Sequence, residues 1–161
     1  MPILHIQLST QGVTPDGKTV QVPATVALQQ RGPCLQATVG LLQSMAQALM
    51  QQGDQVPAPR TGLALIDTGA SDTCIDEQAA KELGLPVVDQ VNMASASHAA
   101  IPRNVYPITI EITGLPNPMN APRAIGAELA PQGLLLLVGR DALQFCTLFY
   151  NGITGEITLS I

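Results

Sequence analysis

The apolar run Leu63-Ala64-Leu65-Ile66 stops at an aspartate, and Asp67 is followed at once by Thr68 and Gly69. Few local patterns constrain a chain more. An ionised carboxylate at the end of a buried strand is costly unless it is paired or hydrogen-bonded. A bare Asp-Thr-Gly can be an ordinary turn, in which the aspartate accepts backbone N–H bonds and the glycine takes positive φ. In ALIDTGASDTCI (64–75), however, the residues that follow are small enough for the backbone to approach a second copy of itself. The tripeptide occurs once in 161 residues, so the source of any partner carboxylate is a question the chain itself raises.

The rest of the composition narrows the answer. A chain of this length suits one domain with a real core. It is 46% hydrophobic and 12% charged, so it is neither disordered nor a charged linker. Aromatics make up only 2%, which leaves Leu, Ile, Val and Ala to build the interior. A net charge of −5, with seven scattered basic residues, argues against nucleic acid. The start, MPILHIQLST, lacks the basic and long apolar regions of a secretory signal, and GLLLLVG is too short to span a bilayer. A cytoplasmic protein without membrane contact is expected. Cys34, Cys74 and Cys146 show no CxxC spacing and read as reduced, buried thiols, and His5 and His98 form no metal-ligand pair with them.

Hydrophobic periodicity predicts a mostly β chain with short helices. ILHIQLS alternates as a strand, TPDGK (14–18) is a turn, and TVQVPATVAL resumes the strand pattern, giving a hairpin of the two runs. QATVGLLQSMAQALMQQG places Val39, Leu42, Met45 or Ala46, Leu49 and Met50 on one helical face, with Gly53 as the stop. A proline-punctuated connector, DQVPAPR (54–60), leads to the strand TGLALID. DEQAAKELGL (76–85) is expected to be a short helix capped by Asp76 or a neighbour and ended by Gly84. Two strands, around 87–95 and 104–113, flank the small-residue tip SASHAA, and PNPMNAP reads as a loop. RAIGAEL and GLLLLVG are further strands, RDALQF is a helical turn or two, and CTLFYNGITGEITLSI closes as a hairpin.

ALIDTGASDTCI resembles the active-site loop of retropepsins, the aspartic proteases of retroviruses and their cellular relatives. The second half of their signature, an apolar stretch, a glycine and Arg-Asp before a short helix, is matched by LLLLVGRDALQFCTLFYNG. Gly139 lies 72 residues after Asp67, enough for a flap hairpin and its return strands. The resemblance covers roughly residues 61–152 and implies a retropepsin-like closed β-barrel with short helices and one active-site loop per subunit. The expected organisation is a single domain over 1–161: N-terminal strands and an extra helix (1–60), the protease core (61–152) and a C-terminal strand (153–161).

The resemblance also implies the chemistry. Retropepsins are homodimers, so a single motif in a short chain fits a twofold axis that brings Asp67 against its own copy. Two like charges held close share one proton and titrate as a pair. One Asp67 then acts as general base on a water, and the other protonates the scissile carbonyl. No metal and no cofactor is required. By similarity, Thr68 locks the two loops across the dimer. Gly69 and Ala70 support the loop, with Gly69 giving the peptide room, while Ser71 and Asp72 line the groove. Gly139, Arg140 and Asp141 support the loop, with Arg140 expected to pair with an acidic residue such as Asp72. Met93, Ala94, Ser95, Ala96, Ser97 and His98 fall where the family carries its flap, which closes over substrate. Viral flap tips are glycine-rich, whereas this one carries serines, His98 and alanines and is expected to be stiffer.

The function expected is an aspartic endopeptidase acting as a homodimer on a peptide or protein substrate, with a preference for hydrophobic side chains. The alternative is a non-catalytic dimerisation or peptide-binding module with the same fold. A hydrolase using Ser71 or Cys74 as nucleophile finds no nucleophile-elbow context. The strands at both ends of the chain could interlock between subunits or pair within one chain; the sequence is compatible with both.

Overall fold

The computed structural model describes residues 2–95 and 98–161. Strands β1 (Ile3–Gln7), β2 (Thr10–Val13) and β3 (Thr19–Val22) precede helix α1 (Ala24–Arg31). Strand β4 (Cys34–Leu41), helix α2 (Gln43–Gln52), strands β5 (Arg60–Ile66) and β6 (Cys74–Asp76) and helix α3 (Glu77–Glu82) follow. An antiparallel pair, β7 (Asp89–Ser95) and β8 (His98–Ile112), leads to β9 (Met119–Ala127) and β10 (Leu136–Val138). Helix α4 (Arg140–Leu143) and strands β11 (Thr147–Asn151) and β12 (Glu156–Ser160) complete the chain.

The fold is mostly β and its centre is a closed barrel. Six strands form a ring in the order β4-β5-β10-β6-β9-β8, and β8 pairs back onto β4. Strand β7 is added outside the ring, on the first half of β8. Closure leaves the barrel without a free edge of its own. Its interior is aliphatic, as a chain nearly devoid of aromatics requires: Ala37, Val39, Ala64, Ile75, Ile108, Ile110, Leu136 and Val138 are fully buried. Truncating a side chain such as Leu136 to alanine would cost about 2–5 kcal/mol.

Several sequence expectations are corrected by this arrangement. The predicted helix over 36–53 is half strand. Residues 34–41 alternate in burial as β4 and place Val39 in the barrel. The β-branched pair Thr38-Val39 and Gly40 suit a pleated surface better than a helix. Helix α2 starts only at Gln43, where QSMAQALMQQ contains neither glycine nor a β-branched residue, and Gly53 ends it as expected. The barrel therefore draws in residues well before position 61, where the core was expected to begin.

TVQVPATVAL is likewise divided. Pro23 cannot donate to a ladder but suits a helix start, so β3 stops at Val22 and α1 begins at Ala24, burying Ala27 and Leu28. The first hairpin is thus β2 with β3 around the TPDGK turn, while β1 pairs antiparallel with β12 at the other end of the chain. Strand β12 lies between β1 and β11 in a three-stranded sheet and buries Ile157 and Leu159 against the barrel. The terminal strands therefore pair within one chain. PNPMNAP is only partly a loop, because β9 already starts at Met119.

Candidate active site

Strands β5 and β10 run parallel, with Ile66 beside Val138, so both chain segments leave the barrel at the same point. The loop after β5 begins with Asp67, whose N–H donates to the Val138 carbonyl at 3.0 Å. The Asp67 carboxylate turns back on its own loop and accepts the Gly69 N–H at Oδ1, 2.8 Å away. That is the only hydrogen bond to this carboxylate among the described residues. Asp67 is half-buried, and Thr68 and Gly69 are exposed.

The segment after β10 clamps this loop from beneath. The Arg140 N–H donates to the Ala70 carbonyl at 3.0 Å and the Asp141 N–H to that of Ser71 at 3.1 Å. The Arg140 guanidinium donates to the Thr68 carbonyl at 2.8 Å and to Ser71 Oγ at 3.1 Å. Buried Thr73 donates to the Asp141 carboxylate at 2.7 Å and accepts the Gly139 N–H at 3.2 Å. Residue 139 must be glycine for this approach, because a Cβ there would fall on the Asp72 carbonyl group and 2.9 Å from Thr73 N. Six backbone and side-chain bonds thus hold the loop from beneath, while the Thr68 hydroxyl has no hydrogen bond among the described residues.

A cleft of about 800 Å³ opens beside the loop. Gly69, Ala70, Ser71, Asp72 and Asp141 line it on the side of the loop. Sequence reasoning missed the opposite wall: Val91 and Asn92 on β7, Asn120 and Arg123 on β9, and Gln144 and Phe145 after α4. The last two come within four residues of the Gly-Arg-Asp segment, which was a usable signal. Asn120 and Arg123 had none, since their strand was read in part as a loop. With so many polar groups, the cleft is less apolar than the composition led one to expect.

Residues 53–129 match a family model described as aspartyl protease. Over that stretch, just under half of its length, the chain resembles the retropepsin-like aspartyl proteases. No curated protein matches it. The retropepsin-like match covers the Asp-Thr-Gly loop and the β7–β8 pair but ends before Gly139, so the hydrogen bonds above are what join the second half of the pattern to the first.

Within this retropepsin-like frame one expectation fails. Arg140 makes no ion pair with Asp72 among the described residues; it bonds the Thr68 carbonyl and Ser71 Oγ instead. The position nearest its fork carries a serine, so the planar donor group takes a hydroxyl and a carbonyl. Of the proposed flap residues, Met93, Ala94 and Ser95 belong to β7 and His98 opens β8. Ala96 and Ser97 lie outside the described residues. Asp76 caps α3 through the Ala79 N–H at 3.0 Å, as expected.

Cys74 is unsuited to nucleophilic work. It is buried, and burial first, then the charges of Asp72, Asp141 and Asp67, push its thiol up to about 11. His5, the histidine whose side chain is described, bonds Thr158 in the terminal sheet and does not line the cleft.

Proposed function

We propose that this protein is a cytoplasmic aspartic endopeptidase that works as a homodimer, each subunit supplying one Asp67. The observation that supports this reading most directly is the half-finished loop. Asp67 and its neighbours are rigidly held from below, yet the second carboxylate oxygen and the Thr68 hydroxyl have no hydrogen bond within the chain among the described residues. Such an apex is suited to a twofold partner, where each residue near the axis meets its own copy.

In that assembly the two carboxylates share one proton. The ionised one takes a proton from a water, which attacks the scissile carbonyl carbon. The protonated one donates to the carbonyl oxygen as the tetrahedral intermediate forms. Collapse of the intermediate breaks the C–N bond, and the amine leaves with a proton from the dyad. An extended peptide would lie in the cleft, held by strand-like main-chain bonds.

The outer edge of the terminal sheet offers a surface for the dimer. Strand β12 is paired on both sides, so β1 and β11 are the edges. On and beside β11, Phe145, Phe149 and Tyr150 are exposed, which is three of the four aromatic residues in the chain. Large apolar groups in water at an open strand edge favour burial against a second copy.

The experiment is cleavage of a peptide library at mildly acidic and neutral pH by the native chain, by Asp67→Asn and in the presence of a pepstatin-type inhibitor. A protease loses cleavage in both latter cases and still sediments as a dimer. Cleavage unchanged in Asp67→Asn abandons the reading.

A further inference from the structure

Away from the cleft, a web of polar side chains ties the base of the β7–β8 pair to α3. Glu77 Oε1 accepts from Asn104 Nδ2 at 2.9 Å and from the Tyr106 hydroxyl at 2.9 Å, and Lys81 Nζ lies 3.2 Å away. Asn104 Oδ1 in turn accepts from Gln90 Nε2 at 2.9 Å. The chain of bonds runs from a helix, through β8, to β7. Its members alternate along the strands with cleft residues: Gln90 precedes Val91, and Val105 sits between Asn104 and Tyr106. By strand alternation the web lies on the face of the hairpin base opposite Val91 and Val105.

The site for the carboxylate is built. Glu77 Oε2 is buried without a hydrogen-bond partner among the described residues, a costly placement for a carboxylate oxygen. Room for it exists because residue 126 is glycine; a Cβ there would overlap Oε2 and lie 3.1 Å from the Tyr106 ring. Helix α3 is itself anchored by the Asp76 cap directly before Glu77. Its companion contact on the cleft side, Asp89 with Arg123, is exposed and correspondingly weak.

We infer that Glu77 is a positioning residue for substrate closure: its carboxylate fixes the base of the β7–β8 pair and thereby sets the wall formed by Val91, Asn92 and Val105. The inference rests on the protease reading for its functional half, while the anchor itself is open to direct measurement. Loss of the anchor loosens the hairpin without touching Asp67, so peptide binding suffers before the chemical step does.

The test uses the full chain with Glu77→Ala, and Glu77→Gln as the conservative variant that keeps an acceptor for Asn104 and Tyr106. Exchange of the amides that bond across the β7–β8 ladder between Asp89 and Asn92 on one strand and Pro102 and Val105 on the other should quicken about tenfold or more in Glu77→Ala, given the worth of bonds to a charged group, while β5 and β10 amides keep their rates. Glu77→Gln should recover most of that protection. In cleavage assays KM rises for Glu77→Ala and kcat changes less. Exchange that is unaltered, or that quickens equally across the barrel, overturns the anchor. Should the native chain cleave no peptide, the protease reading falls and takes the role in closure with it. Quickened exchange confined to the hairpin would still establish the anchor.

Discussion

Two aspartates nine residues apart end two strands of the same barrel, on either side of β10, and meet opposite fates. Asp67, after β5, accepts one hydrogen bond from its own loop and stands half-open to solvent. Asp76, at the end of β6, is buried and accepts three: from Ala79 N–H at 3.0 Å, Leu129 N–H at 3.0 Å and Ala130 N–H at 2.8 Å. Burial alone would raise the Asp76 carboxyl, but those three backbone donors outweigh it and hold the group below its ordinary range. A carboxylate whose lone pairs are filled by the fold is a structural part. One left with a free oxygen at a loop apex is available for chemistry.

The comparison can be broken by exchanging the effects of the same substitution. Asp67→Asn should lower peptide cleavage by about 10²–10⁴-fold, measured as kcat/KM, with an unfolding midpoint close to native. Asparagine retains the oxygen that Gly69 donates to, so the loop survives. Asp76→Asn should do the reverse, lowering unfolding free energy by about 2–3 kcal/mol in a denaturant titration, because buried N–H donors lose a charged acceptor. Its specific activity per folded molecule should be retained.

The acid response sharpens the same contrast. A group whose carboxyl is depressed in the folded state contributes stability above its unfolded value, and that stability is lost as pH falls through the folded one. Asp76 and Glu77 are both of this kind; for Glu77 burial works against the bonds from Asn104, Tyr106 and Lys81, and the bonds prevail. Native stability should therefore decline as pH falls below about 4. The slope should be shallower in Asp76→Asn, followed by unfolding midpoints across that range.

A smaller effect is expected beneath the loop. Arg140→Lys removes the fork that reaches Thr68 and Ser71 together, and should lower kcat/KM by about tenfold with a stability loss near 1 kcal/mol. Smallest of all, Asp89→Asn breaks an exposed pair with Arg123 and should leave the unfolding midpoint unchanged within error.

Much of the site was legible because it is local. The buried strand into Asp67, the Asp76 cap three residues before its N–H donor, and the Gly139-Arg140-Asp141 turn all lie in short stretches with their own physical logic. The partners of Arg140 were not legible, since they depend on which side of the loop its fork faces. Strand β4 was hidden because Val39 and Leu42 fit a helical stripe as well as they fit a strand running into a helix. The cleft's far wall was hidden because β9 owes its place to pairing with β8 and β6, not to a pattern of its own.

Read alone, the 161 residues determined the barrel's aliphatic character, the single acidic loop and the segment that supports it. Those properties follow from residue chemistry over a few positions. Closure of the ring by β4 on β8, the union of β1 with β12 and the web around Glu77 were decided only in three dimensions. Each brings together segments far apart in the chain, and the free energy that selects such pairings belongs to the assembled core rather than to any stretch of it.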